Sequence, residues 1–582
     1  MLRTTSRKRI LSVAALASSL ALVAGCGSSD GNGDGGSDNG NGNGAEGGYE
    51  GEINIWAGKN LPIIENFNPF TPAPLHGTEG AIFEPLMAYN KVGSGDPIPM
   101  LATDAEFNED GTEFTITIRE GVEWNDGEPF TTDDVVFSFT YDIAKPSYLE
   151  SAEALDDSQV LLKFDSPQFT NEVALKHKLM IPEHVWSDIG TADAEGELDE
   201  EGEIDESLTF QNSDPVGTGP FVVENVADQA YTLVPNENYW DEGKPSLEKV
   251  TYIGVDDNQA GEDLLRQGRV DWVAMFIPDA DAVTDGSPID MINTPTDPTT
   301  IYTCANADLG CEGPQTDPAV RQALNLAIDR GDIIDKAFVG HAIPGSPSLM
   351  LPERDDDWLP EGAPAAAPES ADIEGAKAIL EDAGYALNGD GIYEKDGVVV
   401  EMDLTSPSGW TDYNDAATLI EEQTMQAGIK VNSAQISQQE YDDARWAGEF
   451  ELTLAGVVGS QVADPYQVFD EWVAGYSTAE VGEPVPPGAF GFTRYANDEV
   501  DAAIKEAAKT VDVDEKKEAY GVVINALVED LPYIPVVTNA SMTFYNAEKF
   551  TGWPTEDDLY MYPPSWGAIS SGVILGNLQT AN

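Results

Sequence analysis

Apolar and polar positions alternate most clearly in the stretch 113–139, EFTITIREGVEWNDGEPFTTDDVVFSF. Phe114, Ile116 and Ile118 interleave with Thr115, Thr117 and Arg119, the period of a strand with one buried face. Asp126-Gly127 supplies a tight turn, because glycine accepts positive φ and aspartate bonds nearby backbone. Thr131 stands three residues before Asp134 and ahead of Val135, Val136, Phe137 and Phe139. That spacing predicts a helix with a capping box and two acids at its positive end. Trp124 reads as core or turn packing.

The same reading predicts strands at Glu52–Trp56, Gln159–Phe164, 231–234, 250–255 and 270–274, and a helix over 78–89 interrupted by Pro85. From 317 onward helix and strand alternate. Helices are expected at 317–330, 372–383, 413–427, 500–509 and 513–529, and strands at 398–404, 429–436, 450–455 and 533–537. Asp317 and Pro318 are start signals for the first of these helices, and Gly384 and Gly428 end the next two. Such alternation argues for an α/β unit with partly parallel strands. Residues 50–300 are richer in strands. The segment 215–221, PVGTGPF, is dense in turn formers: either a plain loop or a chain crossover near a cleft. No internal repeat is apparent.

The N-terminus has a different pattern. Arg3, Arg7, Lys8 and Arg9 precede the apolar run 10–23, which falls short of the roughly 20 residues a spanning helix needs. Val23-Ala24-Gly25-Cys26 follows and looks like a bacterial lipobox, with Cys26 as the lipidated residue of the mature chain. Residues 1–25 are thus expected to be a signal peptide. Residues 26–49 are expected to be a lipidated cysteine and a flexible Gly/Asn/Ser tether, reaching on the order of 25 Å. The protein should be exported and held by lipid on the outer face of the cell membrane.

With 582 residues, two or three domains are expected. The 29 basic and 105 acidic residues give a net charge of −76. Such a surface repels nucleic acid and anionic lipid headgroups. It fits either adaptation to high salt or simply an acidic secreted protein. The run 193–207, with nine acids in fifteen residues, reads as a solvated loop. Cys304 and Cys311, seven positions apart in an exported chain, suggest a small disulfide loop, the alternative being two free thiols.

Little in the sequence points to catalysis. The four histidines (76, 177, 184 and 341) lack metal-ligand spacing, so neither a metal site nor a cofactor is expected. There is no G-x-S-x-G elbow and no GxxxxGK[ST] phosphate loop. Carboxylate pairs are inevitable among 105 acids and argue nothing. The chain is not expected to be an enzyme. A secreted hydrolase or a surface sensor is the less favoured alternative.

The stretch 113–139 resembles the signature region of family 5 of the bacterial extracellular solute-binding proteins. These serve ABC importers of oligopeptides, dipeptides, nickel complexes and some oligosaccharides. Further resemblances follow in the family's order at 83–86 (FEPL), 217–220 (GTGP), 236–240 (NENYW), 317–330 and 531–535 (LPYIP). The resemblance implies an α/β, two-lobed periplasmic-binding-protein-like fold of the class with an extra domain, its ligand cleft between the lobes. Lobe one would comprise 50–82, 208–297 and 541–582, the extra domain 83–207, and lobe two 298–540. It also implies a monomer that binds a small ligand and delivers it to ABC permease subunits in the membrane.

For the ligand, the resemblance to peptide-binding members points to Asp464, in Ala463-Asp464-Pro465-Tyr466, as acceptor of a peptide's ammonium, with Tyr466 beside it. Arg445 would balance Asp464 or a ligand carboxylate. The stretches 66–70 and 551–556 resemble the cello-oligosaccharide-binding branch instead. Sugars are held by flat aromatic faces, for which Trp56, Trp410 and Trp446 are candidates. Trp410, in a Gly/Pro/Ser loop after a strand, is the best placed. Oligopeptide is the leading reading and oligosaccharide the alternative. If the acidity is an adaptation to salt, stability should rise as NaCl is raised to about 1 M, where screening extends only about 3 Å. Denaturant unfolding at low and high salt checks this, and equal stability at both contradicts it.

Overall fold

Eleven strands form one hydrogen-bonded sheet whose order is not that of the chain. In this computed structural model, which describes residues 49–58, 61–71, 74–93, 96–189, 206–255, 257–486 and 488–581, the strands are as follows. They are β1 (Glu52–Trp56), β2 (Phe221–Ala227), β3 (Ala230–Pro235), β4 (Lys249–Ile253), β5 (Trp272–Ala274) and β6 (Ile289–Thr303). After these come β7 (Ile343–Pro344), β8 (Glu401–Pro407), β9 (Lys430–Ile436), β10 (Leu452–Gly456) and β11 (Tyr533–Asn546). The spatial order is β9-β8-β10-β6-β11-β5-β1-β4-β3-β2, with β7 beside β11.

Two parallel sets lie at opposite ends of this order. β1 runs parallel to β4 and β5. β8 runs parallel to β9 and β10. Between them β6 and β11 pair antiparallel along almost their whole length, from Ile289↔Asn546 to Tyr302↔Tyr533. The register shifts between Pro295 and Asp297 and again between Thr299 and Thr300. Such bulges leave a residue out of the ladder and bend the strand.

A separate antiparallel sheet orders Ala102–Phe107, Glu113–Ile118, Gln159–Phe164 and Leu149–Ala154. Phe114, Ile116 and Ile118 face its core, as the alternation predicts. Trp124 is fully buried, edge-on to Phe130 at 5.7 Å. The helix Thr132–Thr140 carries the expected capping box, with the Thr131 amide donating to Asp134 Oδ2 at 2.8 Å.

Most expected elements from 317 onward are present. The helix expected over 317–330 is two helices, Pro318–Ala327 and Arg330–Lys336, because Asp329 caps a new start by accepting from the Asp332 amide. The strand expected over 398–404 is divided into Val398–Val399 and β8. The helix expected over 78–89 is a single irregular turn, Thr78–Ile82. Gly77 and Gly80 there have φ of 85° and 91°, and Glu79 is extended, so the chain bends sharply before Pro85. The strand expected at 533–537 continues to Asn546, and its partner β6 was not predicted at all. The acidic run lies outside the described residues as far as 205, and so do residues 1–48 with Cys26.

Gly217 and Gly219, in the turn-rich 215–221 segment, lie against the backbone of Ala81 and Ile82, and the Gly219 amide donates to Ile82 O at 2.8 Å. On the other side of that turn, a Cβ on Gly572 would stand 2.1 Å from the carbonyl carbon of Gly80. The helix Ile569–Asn577 therefore packs backbone against backbone. Cys304 and Cys311, just after β6, are joined as a disulfide. Among the described residues no helix is long and apolar enough to cross a membrane.

Candidate functional site: the cleft at the strand ends

Parallel strands present their C-terminal ends, with the loops that follow, as a natural crevice for ligand. Here the ends of the two sets meet. A Cβ on Gly409, after β8, would stand 3.7 Å from the Cβ of Asp257, after β4. Phe276, after β5, lies edge-on to Phe338 at 6.4 Å. The Val457 amide, after β10, donates to Pro298 O on β6 at 2.8 Å.

One wall is built where β1 ends. The bend at 77–80 and the C-terminal segment 565–571 border a half-open cavity of about 230 Å³, lined by His76, Gly77, Glu79, Ser565, Trp566 and Ser571 among others. Trp566 is 36 % exposed. Trp56 stands edge-on to His76, with ring centroids 6.2 Å apart. Trp56 Nε1 and His76 Nδ1 are buried without a hydrogen-bond partner among the described residues. Burial lowers the His76 pKa, against a weaker opposing hydrogen bond from the ring to the Trp56 backbone. Burial alone pushes the Glu79 carboxyl up to about 7.

The floor is the β6–β11 pair. Asp297, at the β6 bulge, accepts from Ser541 Oγ on β11, from Tyr562 OH at 3.2 Å and from Lys91 Nζ at 3.5 Å. Lys91 is only 5 % exposed and lies 5.0 Å from the centre of the Tyr562 ring. Burial lowers its pKa, and Asp297 works against that. Arg354 donates from Nη1 to the carbonyls of Lys91 and Ser460, each at 3.0 Å, and grips Asp355 in a fork at 2.8 and 2.9 Å. It thereby ties the loop after Ala88 to the loop after β10.

The opposite wall brings two of the predicted residues together. Trp410, half-buried before the helix Thr411–Thr424, is edge-on to Tyr413 at 5.1 Å and lies 6.4 Å from Tyr441. Arg445 covers the same Tyr441 ring at 5.2 Å and Phe492 at 5.0 Å, and donates to Asp442 at 3.2 Å. Tyr413 OH meets Thr299 Oγ1 of β6 at 3.1 Å. Trp446 packs edge-on against Phe492 at 5.1 Å.

Trp56 belongs to the first wall, apart from this aromatic group. Asp464 and Tyr466 anchor their own loop. The Asp464 carboxylate accepts from Lys516 Nζ at 2.9 Å, Tyr520 OH at 2.7 Å and the Tyr466 amide at 2.9 Å. The cation that its burial calls for is already supplied by Lys516. Tyr466 is buried, its hydroxyl 3.5 Å from Asp470.

Sequence reasoning did not single out Glu79, Lys91, Asp297, Arg354 or Tyr562. A usable signal existed for two of them: with only 29 basic residues in 582, each lysine or arginine in an apolar context invites inspection. No such signal marks Glu79 among 105 acids.

Residues 96–480 match the family described as Bacterial extracellular solute-binding proteins, family 5 Middle. The chain belongs to this family. Family 5 proteins are non-enzymatic ligand-binding components of ABC importers. This member acts outside the cytoplasm, and its partner is a membrane permease. It is 27 % identical over 457 residues to the oligopeptide-binding protein AppA of Bacillus subtilis, covering 74 % of this chain and 76 % of that one. It is 26 % identical to protein XP55 of Streptomyces lividans, over 82 % and 85 % of the two chains. Among solved structures, the mannohexaose-bound periplasmic oligopeptide-binding protein of Thermotoga maritima superposes with a TM-score of 0.78 at 25 % identity. That match covers 91 % of this chain and 98 % of the other. Bacillus subtilis AppA with a nonapeptide gives a TM-score of 0.72 at 23 % identity, over 92 % and 100 % of the chains.

The Asp464 contacts make a specific expectation. Asp464→Ala strips Lys516 and Tyr520 of their acceptor at a site only 21 % and 13 % exposed on its two charged side chains. It should lower stability by about 2–3 kcal/mol in thermal unfolding. A variant of unchanged stability that loses ligand would instead put Asp464 in contact with ligand.

Proposed function

We propose that this protein captures oligopeptides by closing two lobes about the β6–β11 pair and passes them to its permease. The lobes would be 50–82 with 208–297 and 541–582 on one side and 298–540 on the other, with 83–207 as the extra domain. Borders 297/298 and 540/541 fall inside β6 and β11, next to the bulges, where the least backbone rearrangement produces the largest swing of the loops. The observation that carries the peptide reading is the likeness to oligopeptide-binding AppA over three-quarters of the chain. The proposal further holds that Cys26 carries the lipid that keeps the protein at the membrane. Its support is the order of basic, apolar and small residues before it.

A second reading, oligosaccharide capture, has an observation of its own. The partly exposed Trp566 stands beside Ser565 and Ser571 at the cavity, a face and hydroxyls of the kind that hold a sugar ring. The mannohexaose-bound Thermotoga structure supports it by likeness.

Calorimetry of the mature protein against peptides from dipeptide to nonapeptide, and against cello- and manno-oligosaccharides, separates the two. Peptide binding tighter than about 10 μM with no sugar binding is expected. Sugar binding alone would overturn the peptide reading. For the anchor, Cys26→Ser is expected to move the protein from the membrane fraction to the medium, and retention on membranes would remove Cys26 from that role.

A further inference from the structure

Of the hydrogen bonds that Arg354 makes, one leaves its own lobe on the borders proposed above. Nε and Nη2 grip Asp355 at 2.8 and 2.9 Å, and Nη1 donates to Ser460 O at 3.0 Å. Asp355 is 2 % exposed and is itself fixed. It accepts from the Leu351 amide at 2.9 Å and donates its own amide to Leu351 O at 3.0 Å. All of these groups lie within 298–540. The other Nη1 bond goes to Lys91 O at 3.0 Å, in the segment 83–207. Arg354 is therefore aimed by its own lobe before it meets the other side. A charged donor held in this way loses little side-chain freedom when the contact forms.

The acceptor is held independently of Arg354. Asn90 donates from Nδ2 to Leu559 O at 2.5 Å and accepts from the Val92 amide at 3.3 Å, and the Gly93 amide closes the turn on Asn90 O at 2.9 Å. Lys91 Nζ reaches Asp297 at 3.5 Å and lies over the Tyr562 ring. Leu559, Asp297 and Tyr562 belong to the segments assigned to lobe one, so loop 89–93 is carried with that lobe. The two loops also touch beside the hydrogen bond: a Cβ on Gly459 would stand 3.6 Å from Lys91 Cε.

We propose that Arg354 and loop 89–93 form the latch of the closed cleft, and that the Arg354–Lys91 contact sets how long ligand stays bound. This rests on the lobe closure proposed above and adds the contact that opposes reopening. On opening, Arg354 keeps Asp355 and Ser460 and gives up only the Lys91 carbonyl. A hydrogen bond from a charged donor is stronger than a neutral one. Because this one forms only on closure, it acts on release and leaves the entry of ligand untouched. Its acceptor carries no net charge, so salt weakens it far less than it would an exposed ion pair between lobes.

The test is stopped-flow binding to the full mature protein, with the tightest-binding ligand of the peptide and sugar panel above. Arg354→Lys keeps the charge but cannot grip Asp355 in a fork and reach both carbonyls. Asn90→Ala loosens the catch from the other side without touching lobe two. Dissociation should quicken about tenfold or more in Arg354→Lys and about threefold to tenfold in Asn90→Ala, with association within about threefold of wild type in both. The double variant should release ligand no faster than Arg354→Lys alone, because both substitutions act on one contact. The increases should persist from about 0.1 M to about 1 M NaCl. An unchanged dissociation rate in Arg354→Lys, or in Asn90→Ala should Arg354→Lys fail to fold, would overturn the latch. Slower association with unchanged release, or effects that multiply in the double variant, would overturn it too. X-ray scattering of the wild type keeps this apart from the closure reading. No compaction on ligand binding sinks closure and latch together, whereas compaction with unchanged release in the variants sinks the latch alone.

Discussion

The main sheet of this protein is held together across one pairing, the antiparallel ladder between β6 and β11. The two parallel strand sets lie on either side of it and do not pair directly with each other. β10 joins β6, and β5 joins β11, so among the described residues the continuous hydrogen-bonded path from one set to the other crosses these two strands. β11 is buried along nearly its whole length, which makes separation of the pair expensive. The bulges at 295–300 are where the register of that pair is interrupted. Asp297 sits at that interruption, with its charge met by Lys91.

Much of the fold could be read in the sequence, and the reason is periodicity. The strand Glu113–Ile118, the Thr131–Asp134 cap and the alternating elements after 317 all announce themselves by spacing of apolar residues and by caps. β6 was illegible because Pro295 and Pro298 punctuate it and because threonines, asparagines and aspartates replace the usual aliphatic residues. Its burial comes from neighbours far away in the chain. The bend at 77–80 was misread for the opposite reason. Its apolar residues suit a helix, but two glycines at positive φ and the approach of other backbones decide the conformation. At the site, tryptophans were easy to nominate. Trp410 and Arg445 do share the Tyr441 ring. Asp464 is nominated by the resemblance to peptide-binding members, and the cation beside its carboxylate is the protein's own Lys516. Pairing of this kind depends on Lys516, more than fifty positions away, and no local pattern encodes it.

Acidity gives the few basic residues unusual weight. Lys91, Arg354 and Lys516 each connect segments distant in sequence, and each does so from a largely buried position. Arg354 gathers two carbonyls that no secondary structure has claimed, an arrangement suited to the guanidinium fork and closed to a lysine. A surface of one dominant sign leaves the interior as the place where opposite charges can organise structure, since pairs there are screened least.

The contact of Gly80 with Gly572 carries a last implication. A wall made of side chains has rotamers and adapts to what touches it. Where backbone meets backbone, there is no side chain left to rearrange. The cavity beside that contact is still lined by side chains, His76, Glu79, Trp566 and Ser571 among them. The two glycines hold the segments that carry those side chains, so a guest meets a few movable groups mounted on a frame that does not give.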